Sequence, residues 1–385
     1  SGLRTMENAY GEFLRNRGNE VVFSVGIDPD NANAIVGPYS LSGYVIDQIT
    51  PGLVRRVVRD NQLAFEPSVA KSWSWNEDNT QVTYHLRDDI RWEDGTPLTS
   101  ADVAFTFELI DDPEVASNWK SSTRNMRRKE DGTLDIATPD AHTVVFHFVA
   151  PRNQLLQQGD TRFGILPMHT VKDVPRSALR TEQAAREPLA SGPWRIASWE
   201  HNAALLLEPN PMAPSDWAPQ LDRIIYKITP EPNTRILQIT KREVDMVTGI
   251  EAKHLKDLEA LDHVRVLSIE SEYMAYAGYN LSDPRFADAR VRKALTLASD
   301  RQRMIDKLFT VDGRVTARHC IGTIAPTYGP WYASEVEPLP HDVAAAKALL
   351  AEAGWADTDG DGWVDRDGEA FRFELMIQSG SDTQK

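Results

Sequence analysis

Alternating apolar and polar side chains identify one segment of this chain as a strand with a single buried face. Val82, Tyr84 and Leu86 alternate with polar residues, which is the period-2 pattern of a half-buried β-strand. Turn-forming residues stand on both sides, at Glu77 to Asn79 and, after the segment Ile90 to Trp92, at Glu93 to Gly95. Because such residues reverse the chain, the pattern predicts a hairpin-like pair of strands.

A helix is predicted to begin directly after this pair. Thr99 stands three residues before Asp102, the spacing of a capping box in which Asp replaces the usual Glu. Val103, Phe107 and Ile110 follow at helical spacing. The spacing therefore predicts a capped helix that buries one face.

Similar patterns recur along the whole chain. They predict strands at Val21 to Val25, at Thr143 to Val149 and through Phe371, Phe373, Leu375 and Ile377, and helices at Leu41 to Ile49 and Ala345 to Trp355. Strands come both before and after helices. The order predicts an α/β protein of mixed α+β elements with discontinuous domains.

Composition narrows the function classes. The 385 residues, 41% of them hydrophobic, are enough for two or more domains with sizeable cores. A formal net charge of −15 repels a phosphate backbone, so nucleic acid is excluded as a partner. No apolar run approaches the roughly 18 residues of a spanning helix. Cys320 is the only cysteine, and we expect a buried structural thiol there.

Local signatures of enzymes are missing from the sequence. It contains no G-x-S-x-G, H-E-x-x-H or G-x-x-x-x-G-K-[ST] motif and no strand-linked G-x-G-x-x-G. The nine histidines are scattered, and we expect His142 and His147 to face opposite sides of a strand. The sequence predicts a protein that is not an enzyme and requires no cofactor.

One acidic segment does carry metal-binding chemistry. Five residues match the first, third, fifth, seventh and ninth positions of an EF-hand calcium loop: Asp357, Asp359, Asp361, Trp363 through its carbonyl, and Asp365. The twelfth position is Gly368, where a bidentate Glu belongs, and no second helix follows. Two interpretations stay open, a structural calcium site and an Asp/Gly-rich turn between a helix and a strand.

Several longer motifs follow one another in a specific order. Glu66 to Phe107 reads P-S-x-A-x-S-W, a turn, a strand, L-R-D, and then W-x-D-G-T-P-L-T-x-x-D-V. Ala190 to Trp194, Leu221 to Ile224, Tyr279 to Leu281 and Arg290 to Leu295 continue the series. In this order the motifs resemble the family 5 extracellular solute-binding proteins of ABC importers, the peptide-, nickel- and oligosaccharide-binding type, over nearly the whole chain.

The resemblance implies a two-lobed periplasmic binding protein fold with an extra domain inserted in the first lobe. Lobe one is then expected at 1–44 and 159–264, the inserted domain at 45–158, and lobe two at 265–385. Chains of the family continue well beyond the point that matches Phe371 to Ile377. Lobe two is therefore expected to be incomplete at Lys385.

The resemblance also implies ligand-binding residues, because such clefts combine aromatic walls with a few fixed polar groups. The matching positions are Tyr39, Ser40, Trp119, Tyr273, Met274 and Tyr276. Tyr39 and Trp119 have an alternative role as loop anchors. Tyr273, Met274 and Tyr276 alternate as ordinary strand residues do, which is their alternative role. Tyr328, Trp331 and Tyr332 form a further candidate group.

The resulting hypothesis is an extracytoplasmic solute-binding protein. It captures a small solute, with a peptide as the leading candidate, between its lobes by hinge closure and delivers it to ABC transporter permease subunits. Its location is periplasmic or extracellular, and it meets the membrane only through the permease or a lipid anchor. Two alternatives stay open, a calcium-stabilised structural or adhesion module and a hydrolase with a nonlocal active site.

Overall fold

The computed structural model of the protein describes residues 19–29, 31–37, 41–59, 62–182, 187–267, 274–324, 326 and 332–376. Its strands are β1 (Glu20–Val25), β2 (Val54–Arg59), β3 (Gln62–Pro67), β4 (Ala70–Trp75), β5 (Gln81–Leu86), β6 (Ile136–Asp140), β7 (Thr143–His147), β8 (Trp194–Glu200), β9 (Ala204–Pro209), β10 (Arg223–Ile228), β11 (Met246–Val247), β12 (Thr310–Val311), β13 (Arg314–Val315), β14 (Asp365–Arg366) and β15 (Glu369–Ala370). Its α-helices are α1 (Leu41–Ile49), α2 (Ser100–Asp111), α3 (Gln154–Gly159), α4 (Met168–Val171), α5 (Pro232–Thr240), α6 (Leu255–Glu259), α7 (Pro284–Ala287), α8 (Ala289–Ala298), α9 (Arg301–Leu308) and α10 (Val343–Glu352).

The most strongly patterned elements form where the sequence predicts them. Strand β5 completely buries Val82, Tyr84 and Leu86. Helix α2 begins after Thr99, whose backbone N–H donates to the Asp102 carboxylate at 2.8 Å. Both predictions are confirmed. The cap joins residues three positions apart, whereas β5 lies between β4 and the distant β7, which complete its hydrogen-bond ladder. The segment around Arg91 does not pair with β5 and makes only an isolated bridge to Pro97.

Three further predicted elements form with small shifts at their ends. Helix α1 has the predicted bounds, and β1 begins one residue earlier than predicted. Strand β7 ends at His147, two residues early, because Phe148 makes only an isolated bridge and Val149 is exposed. Helix α10 ends before Gly354, whose φ of +84° lies in the left-handed region that stops a helix.

Contacts divide the chain into two compact units, residues 1–250 with 258–267 and residues 251–257 with 268–385. The first unit holds a five-stranded sheet in the order β11-β1-β10-β9-β8, in which β1 runs parallel to both of its neighbours. It also holds an antiparallel four-stranded sheet in the order β4-β5-β7-β6 and the β2-β3 hairpin. The predicted domain boundaries at 44/45, 158/159 and 264/265 remain predictions.

Two hydrophobic cores stabilise the first unit, and α1 contributes to both. Trp92, Tyr84, Phe107 and Phe146 are among the largest side chains of one core, and β1, β8, β9 and β10 supply most of the other. Ile46 packs into the first core, whereas Val45 and Ile49 pack into the second. Burial of apolar area on both sides therefore fixes α1 within this unit.

The chain just beyond α1 passes very close to two other segments. A Cβ atom added at Gly52 would lie 2.3 Å from the Arg162 carbonyl oxygen, and one at Gly164 would lie 2.3 Å from the Thr50 oxygen. A Cβ atom at Gly192 would lie 2.5 Å from the Gln48 oxygen. Since side chains do not fit at such distances, these three positions require glycine.

Helices are the longest regular elements among the described residues of the second unit. Ala294 of α8 and Ala346 of α10 are buried against each other. Trp355 packs beside Val291, and the Arg366 guanidinium lies 4.4 Å from the centre of the Trp355 ring. The small side chains of Ala294 and Ala346 therefore let α8 and α10 pack closely. Trp355, just after α10, adds an apolar contact and a cation–π contact with Arg366. No helix in the part of the chain that the structure describes combines the length and apolar character needed to cross a membrane.

Two predictions in the second unit are wrong. Cys320 is exposed, because it lies in an irregular segment after β13, where its thiol donates to the Gly322 carbonyl oxygen at 2.7 Å. Residues 371–376 form no strand, since the described residues offer them no neighbouring strand, and Ile377 lies outside the described range. An alternating pattern gives a strand only where a partner completes the hydrogen-bond ladder.

Candidate functional site

The structure describes half of the residues predicted to bind ligand. Trp119, Met274 and Tyr276 lie within the described ranges, whereas Tyr39, Ser40 and Tyr273 lie outside them. Trp119 belongs to the first unit, and Met274 and Tyr276 belong to the second. In the further candidate group, Tyr332 is half-buried, and Tyr328 and Trp331 lie outside the described ranges.

Residues 31–37 form a buried loop that follows β1 and ends two positions before the predicted ligand residue at 39. The Asn31 carboxamide oxygen accepts from the Asn33 backbone N–H at 3.1 Å, and the Asn33 carboxamide oxygen accepts from Ile35 N–H at 3.0 Å. Gly37 N–H donates to the Asn33 carbonyl oxygen at 2.9 Å. These turns satisfy the buried backbone and give the loop a fixed shape.

Trp119 packs against this loop. Its indole N–H donates to the Ala34 carbonyl oxygen at 3.0 Å. Its ring lies 5.2 Å from that of Phe163, and the Arg162 guanidinium stands 5.4 Å from the ring centre. Trp119 is half-buried. The structure therefore shows an anchoring role for Trp119, and its predicted contact with ligand remains a prediction.

Ser117 and Asn118 hold the same loop from the side of Trp119. The Ser117 hydroxyl donates to the Ile35 carbonyl oxygen at 2.7 Å, and the Asn118 side-chain amide donates to the Gly37 carbonyl oxygen at 2.7 Å. These bonds span more than 80 positions of sequence. The loop is thus fixed by tertiary contacts as well as by its own turns.

Asp28 fixes the segment that leads into the loop. Its carboxylate accepts from the Trp199 indole N–H at 2.9 Å and from the Asn202 backbone N–H at 2.8 Å, and it lies 3.0 Å from His201 Nδ1. The Trp199 and His201 rings are 4.7 Å apart. A carboxylate with several donors of this kind ties the carboxyl end of β1 to the β8-β9 turn.

Asp111 supports the 3₁₀ helix Lys120–Thr123, which follows Trp119. Its carboxylate accepts two bonds from Arg128, at 2.7 and 2.9 Å, and lies 2.9 Å from Lys120 Nζ. The Thr123 hydroxyl also donates to it at 2.8 Å. The Arg128 guanidinium contributes most to holding the pKa of Asp111 well below its usual value, which Lys120 and Thr123 lower further. Asp111 therefore stays ionised at neutral pH and fixes this turn.

Met274 and Tyr276 have contrasting surroundings in the second unit. Met274 is half-buried, with its sulfur 2.9 Å from the Cys320 sulfur. Tyr276 is 82% exposed. Tyr276 can therefore contact a ligand without losing any packing of its own, since little of its side chain is buried.

The acidic loop of the second unit brings three of its predicted ligands together. Carboxylate oxygens of Asp357, Asp359 and Asp361 lie within 4.8 Å of one another, and all three residues are exposed. The Asp357 carboxylate also accepts from the N–H groups of Gly360 and Gly362, at 2.7 and 3.0 Å. The carboxylate oxygens that a cation would use therefore already accept hydrogen bonds from backbone N–H groups of the loop.

The other two predicted metal ligands are placed differently. The Asp365 carboxylate accepts from both the backbone N–H and the hydroxyl of Thr358, at 3.0 and 2.7 Å. Asp365 is not among the three clustered carboxylates, and the Trp363 side chain is 56% exposed. The geometry is compatible with either of the two interpretations left open by the sequence.

Sequence reasoning missed the residues that hold the 31–37 loop. Asp28, Asn31 and Asn33 had a local signal, because turn-forming residues cluster there. Ser117 and Asn118 had none, since their partners lie more than 80 residues away. Arg180 also had none, although its guanidinium donates to the Val36 carbonyl oxygen across 144 positions.

Comparison with known proteins gives a family match over most of the chain. The family described as bacterial extracellular solute-binding proteins, family 5 Middle, matches residues 64–385. The oligopeptide-binding protein AppA of Bacillus subtilis is 25% identical over 378 residues, which are 96% of this chain and 65% of AppA. Protein XP55 of Streptomyces lividans is 28% identical over 370 residues, 95% of this chain and 62% of XP55. The chain thus spans a little under two thirds of these relatives.

Solved structures show the fold. AppA from Bacillus subtilis, in complex with a nonapeptide, matches with a TM-score of 0.76 at 23% identity, over 92% of this chain and 68% of AppA. Lactococcal OppA, complexed with an endogenous peptide, matches with a TM-score of 0.75 at 19% identity, over 92% and 70%. The predicted fold class, that of two-lobed periplasmic binding proteins with mixed α/β structure, is confirmed.

Proposed function

This chain belongs to the family 5 bacterial extracellular solute-binding proteins, and on that premise we propose that it captures a small solute, foremost a peptide, for an ABC transporter. The family match over residues 64–385 carries the proposal. Capture requires no covalent chemistry, because a ligand that binds one conformation better than another shifts the population toward it. We accordingly propose a binding protein without catalysis and without a required cofactor.

Ligands of similar proteins support a peptide as the first class to test. AppA was solved with a nonapeptide, OppA with an endogenous peptide, and DppA from Helicobacter pylori with the peptide STSA. NikZ from Campylobacter jejuni was solved with Ni(L-His), and AgaA with agropinic acid. The fold therefore accommodates several solute classes, and the residues of each site select among them.

The proposed ligand contacts are the six residues identified from the sequence: Tyr39, Ser40, Trp119, Tyr273, Met274 and Tyr276. Aromatic faces and a thioether supply stacking and dispersion contacts, and Ser40 supplies a hydrogen bond. The proposed partners are the ligand and the permease subunits of an ABC transporter. We place the protein outside the cytoplasm, with a lipid anchor or the permease as its link to the membrane.

A thermal-shift and calorimetry screen tests the proposal. The panel contains STSA, the nonapeptide RPPGFSPFR that was solved with OppA from Haemophilus influenzae, Ni(L-His) and agropinic acid. A ligand at a hundredfold excess over its Kd stabilises the folded state by about 2.7 kcal/mol. We expect a shift with at least one peptide. A panel without any shift would contradict the proposal.

A pair of exposed residues in the second unit makes the test specific. Tyr276→Ala removes a proposed ligand contact, and Leu281→Ala removes another exposed apolar side chain five positions away. They are 82% and 62% exposed, so neither variant should change the unfolding midpoint of the free protein. We expect only Tyr276→Ala to weaken peptide binding, by about tenfold. Equal losses of peptide affinity in the two variants would contradict the proposal that Tyr276 contacts the ligand.

The clustered carboxylates favour a second candidate function, a calcium-stabilised structural or adhesion module. Its support is the approach of Asp357, Asp359 and Asp361 to within 4.8 Å. Under this alternative, a chelator lowers the unfolding midpoint and no solute in the panel raises it. Under the first proposal, solutes shift the midpoint whether or not calcium is present, so the two outcomes are distinguishable.

A further inference from the structure

Four consecutive backbone carbonyls of the 31–37 loop each accept a hydrogen bond from a distant side chain. The pairs are Trp119 Nε1 with the Ala34 oxygen at 3.0 Å, Ser117 Oγ with Ile35 at 2.7 Å, Arg180 Nη1 with Val36 at 2.6 Å, and Asn118 Nδ2 with Gly37 at 2.7 Å. Three of the donors are neighbours in sequence. Arg180 alone comes from a different segment.

Arg180 also fixes the segment that carries the other three donors. A second nitrogen of its guanidinium, Nη2, donates to the Ala116 carbonyl oxygen at 3.1 Å. Ala116 has a φ of +48°, a left-handed conformation that alanine adopts only when its surroundings hold it there. Leu179, the residue before Arg180, is 1% exposed within the first core. The guanidinium therefore extends from an anchored backbone and links two loops.

We propose that Arg180 is a positioning residue for ligand binding, because one guanidinium links the 31–37 loop to the segment that begins at Ala116. Removing it frees the Val36 carbonyl and lets Ala116 leave its strained conformation, so that Ser117, Asn118 and Trp119 can move away together. The effect on affinity rests on the proposed function, in which residues 39 and 40 contact the ligand. The effect on the loop does not.

The geometry requires an arginine. Two carbonyl oxygens on different segments are reached by two nitrogens of one planar group, a bidentate arrangement that a lysine ammonium does not reproduce. Arg180→Lys keeps the charge and loses the planar fork, and Arg180→Gln loses both. We expect Arg180→Lys to retain less than half of the amide protection and peptide affinity that Arg180→Gln loses.

Hydrogen–deuterium exchange on the 385-residue protein reads the loop directly, with no ligand present. The reporters are the hydrogen-bonded amides of Asn33, Ile35, Gly37 and Asn118. We expect Arg180→Gln to accelerate their exchange about tenfold or more, as the loss of a charge-assisted hydrogen bond implies. Amides of β5 should keep their rates, because the core is untouched.

Arg176→Gln is the matched control. Arg176 lies four residues earlier, and its guanidinium stands 3.4 Å from Asp112 and near the Phe105 ring. We expect the amides of residues 31–37 in Arg176→Gln to exchange at the wild-type rates. Unchanged rates in Arg180→Gln, or equal acceleration in both variants, would overturn the proposal.

Binding of STSA and RPPGFSPFR provides the second measurement. We expect Arg180→Gln to weaken the affinity of whichever peptide binds wild-type protein by about tenfold, while the unfolding midpoint stays close to that of Arg176→Gln. Faster exchange with unchanged affinity would refute the positioning role and leave the proposed function intact. If neither peptide binds the wild type, the proposed function fails for these peptides, and the exchange rates still decide whether Arg180 holds the loop.

Discussion

Replacing Gly52 with alanine should strongly destabilise the first unit. The added Cβ would lie 2.3 Å from the Arg162 carbonyl oxygen and 2.7 Å from that of Phe163, whereas ordinary contact begins at 3.4 Å. Both neighbours are backbone atoms, so the strain cannot be relieved by a change of rotamer. One of the two segments must therefore move.

That movement would break hydrogen bonds on both sides of Gly52. Leu53 N–H donates to the Thr161 carbonyl oxygen at 3.0 Å, and Ile165 N–H donates to the Pro51 carbonyl oxygen at 3.3 Å. Overpacking and the weakening of these two bonds together should lower the free energy of unfolding by about 3 kcal/mol. Urea unfolding of the 385-residue protein, followed by tryptophan fluorescence, measures the change in the free energy of unfolding.

Gly43 of α1 is the matched control for this substitution. A Cβ atom there meets nothing within 4 Å, and alanine is the better helix former, so Gly43→Ala should stabilise the unit by about 0.5–1 kcal/mol. Opposite signs for the two variants are the expected outcome. If Gly52→Ala were as stable as the wild type, the close approach of the two segments would be refuted.

Three further predictions concern buried polar groups, pH and calcium. Tyr84→Phe should cost about 1–2 kcal/mol in urea unfolding, because the buried Tyr84 hydroxyl donates to the Gln158 side-chain oxygen at 2.9 Å; a neutral result would contradict that bond. Asp111→Asn should cost about 1–2 kcal/mol at pH 7, because it removes the carboxylate that Arg128 pairs with. The pKa of Asp111 is depressed in the folded protein. The stability that its charge contributes is therefore present above the unfolded pKa of about 3.9 and is lost as pH falls through the folded pKa. If the stability difference between wild type and Asp111→Asn persisted undiminished in strong acid, this cause would be excluded. We propose that Asp357 closes its loop through hydrogen bonds alone, so 1 mM calcium, a roughly saturating amount for sensor-type sites, should leave the unfolding midpoint unchanged, and a rise reversed by chelator would establish a structural calcium ion.

Local patterns alone predicted several elements accurately. The β5 alternation, the Thr99–Asp102 cap and helix α1 were predicted with nearly their observed bounds. Each carries a clear local pattern, although distant partners such as β7 complete the ladder of β5. The motif order between residues 66 and 107 likewise identified the family and therefore the fold.

Prediction failed where a distant partner decides the structure. The alternating residues 371–376 form no strand, because the described residues supply no neighbour to complete a ladder. Cys320 is exposed, because burial depends on whether other residues pack over a side chain, and cysteine's general preference for burial does not determine that. The predicted ligand positions Tyr39 and Ser40 came from resemblance and remain predictions.

The sequence by itself determined the family, the fold class and those elements that carry a strong local pattern. Only the tertiary structure showed that four consecutive carbonyls of the 31–37 loop are held by Trp119, Ser117, Arg180 and Asn118, and that Gly52 passes against the Arg162 backbone. The physical reason is common to both. These contacts join segments more than 80 residues apart in sequence, and no local periodicity encodes which distant donor meets which carbonyl.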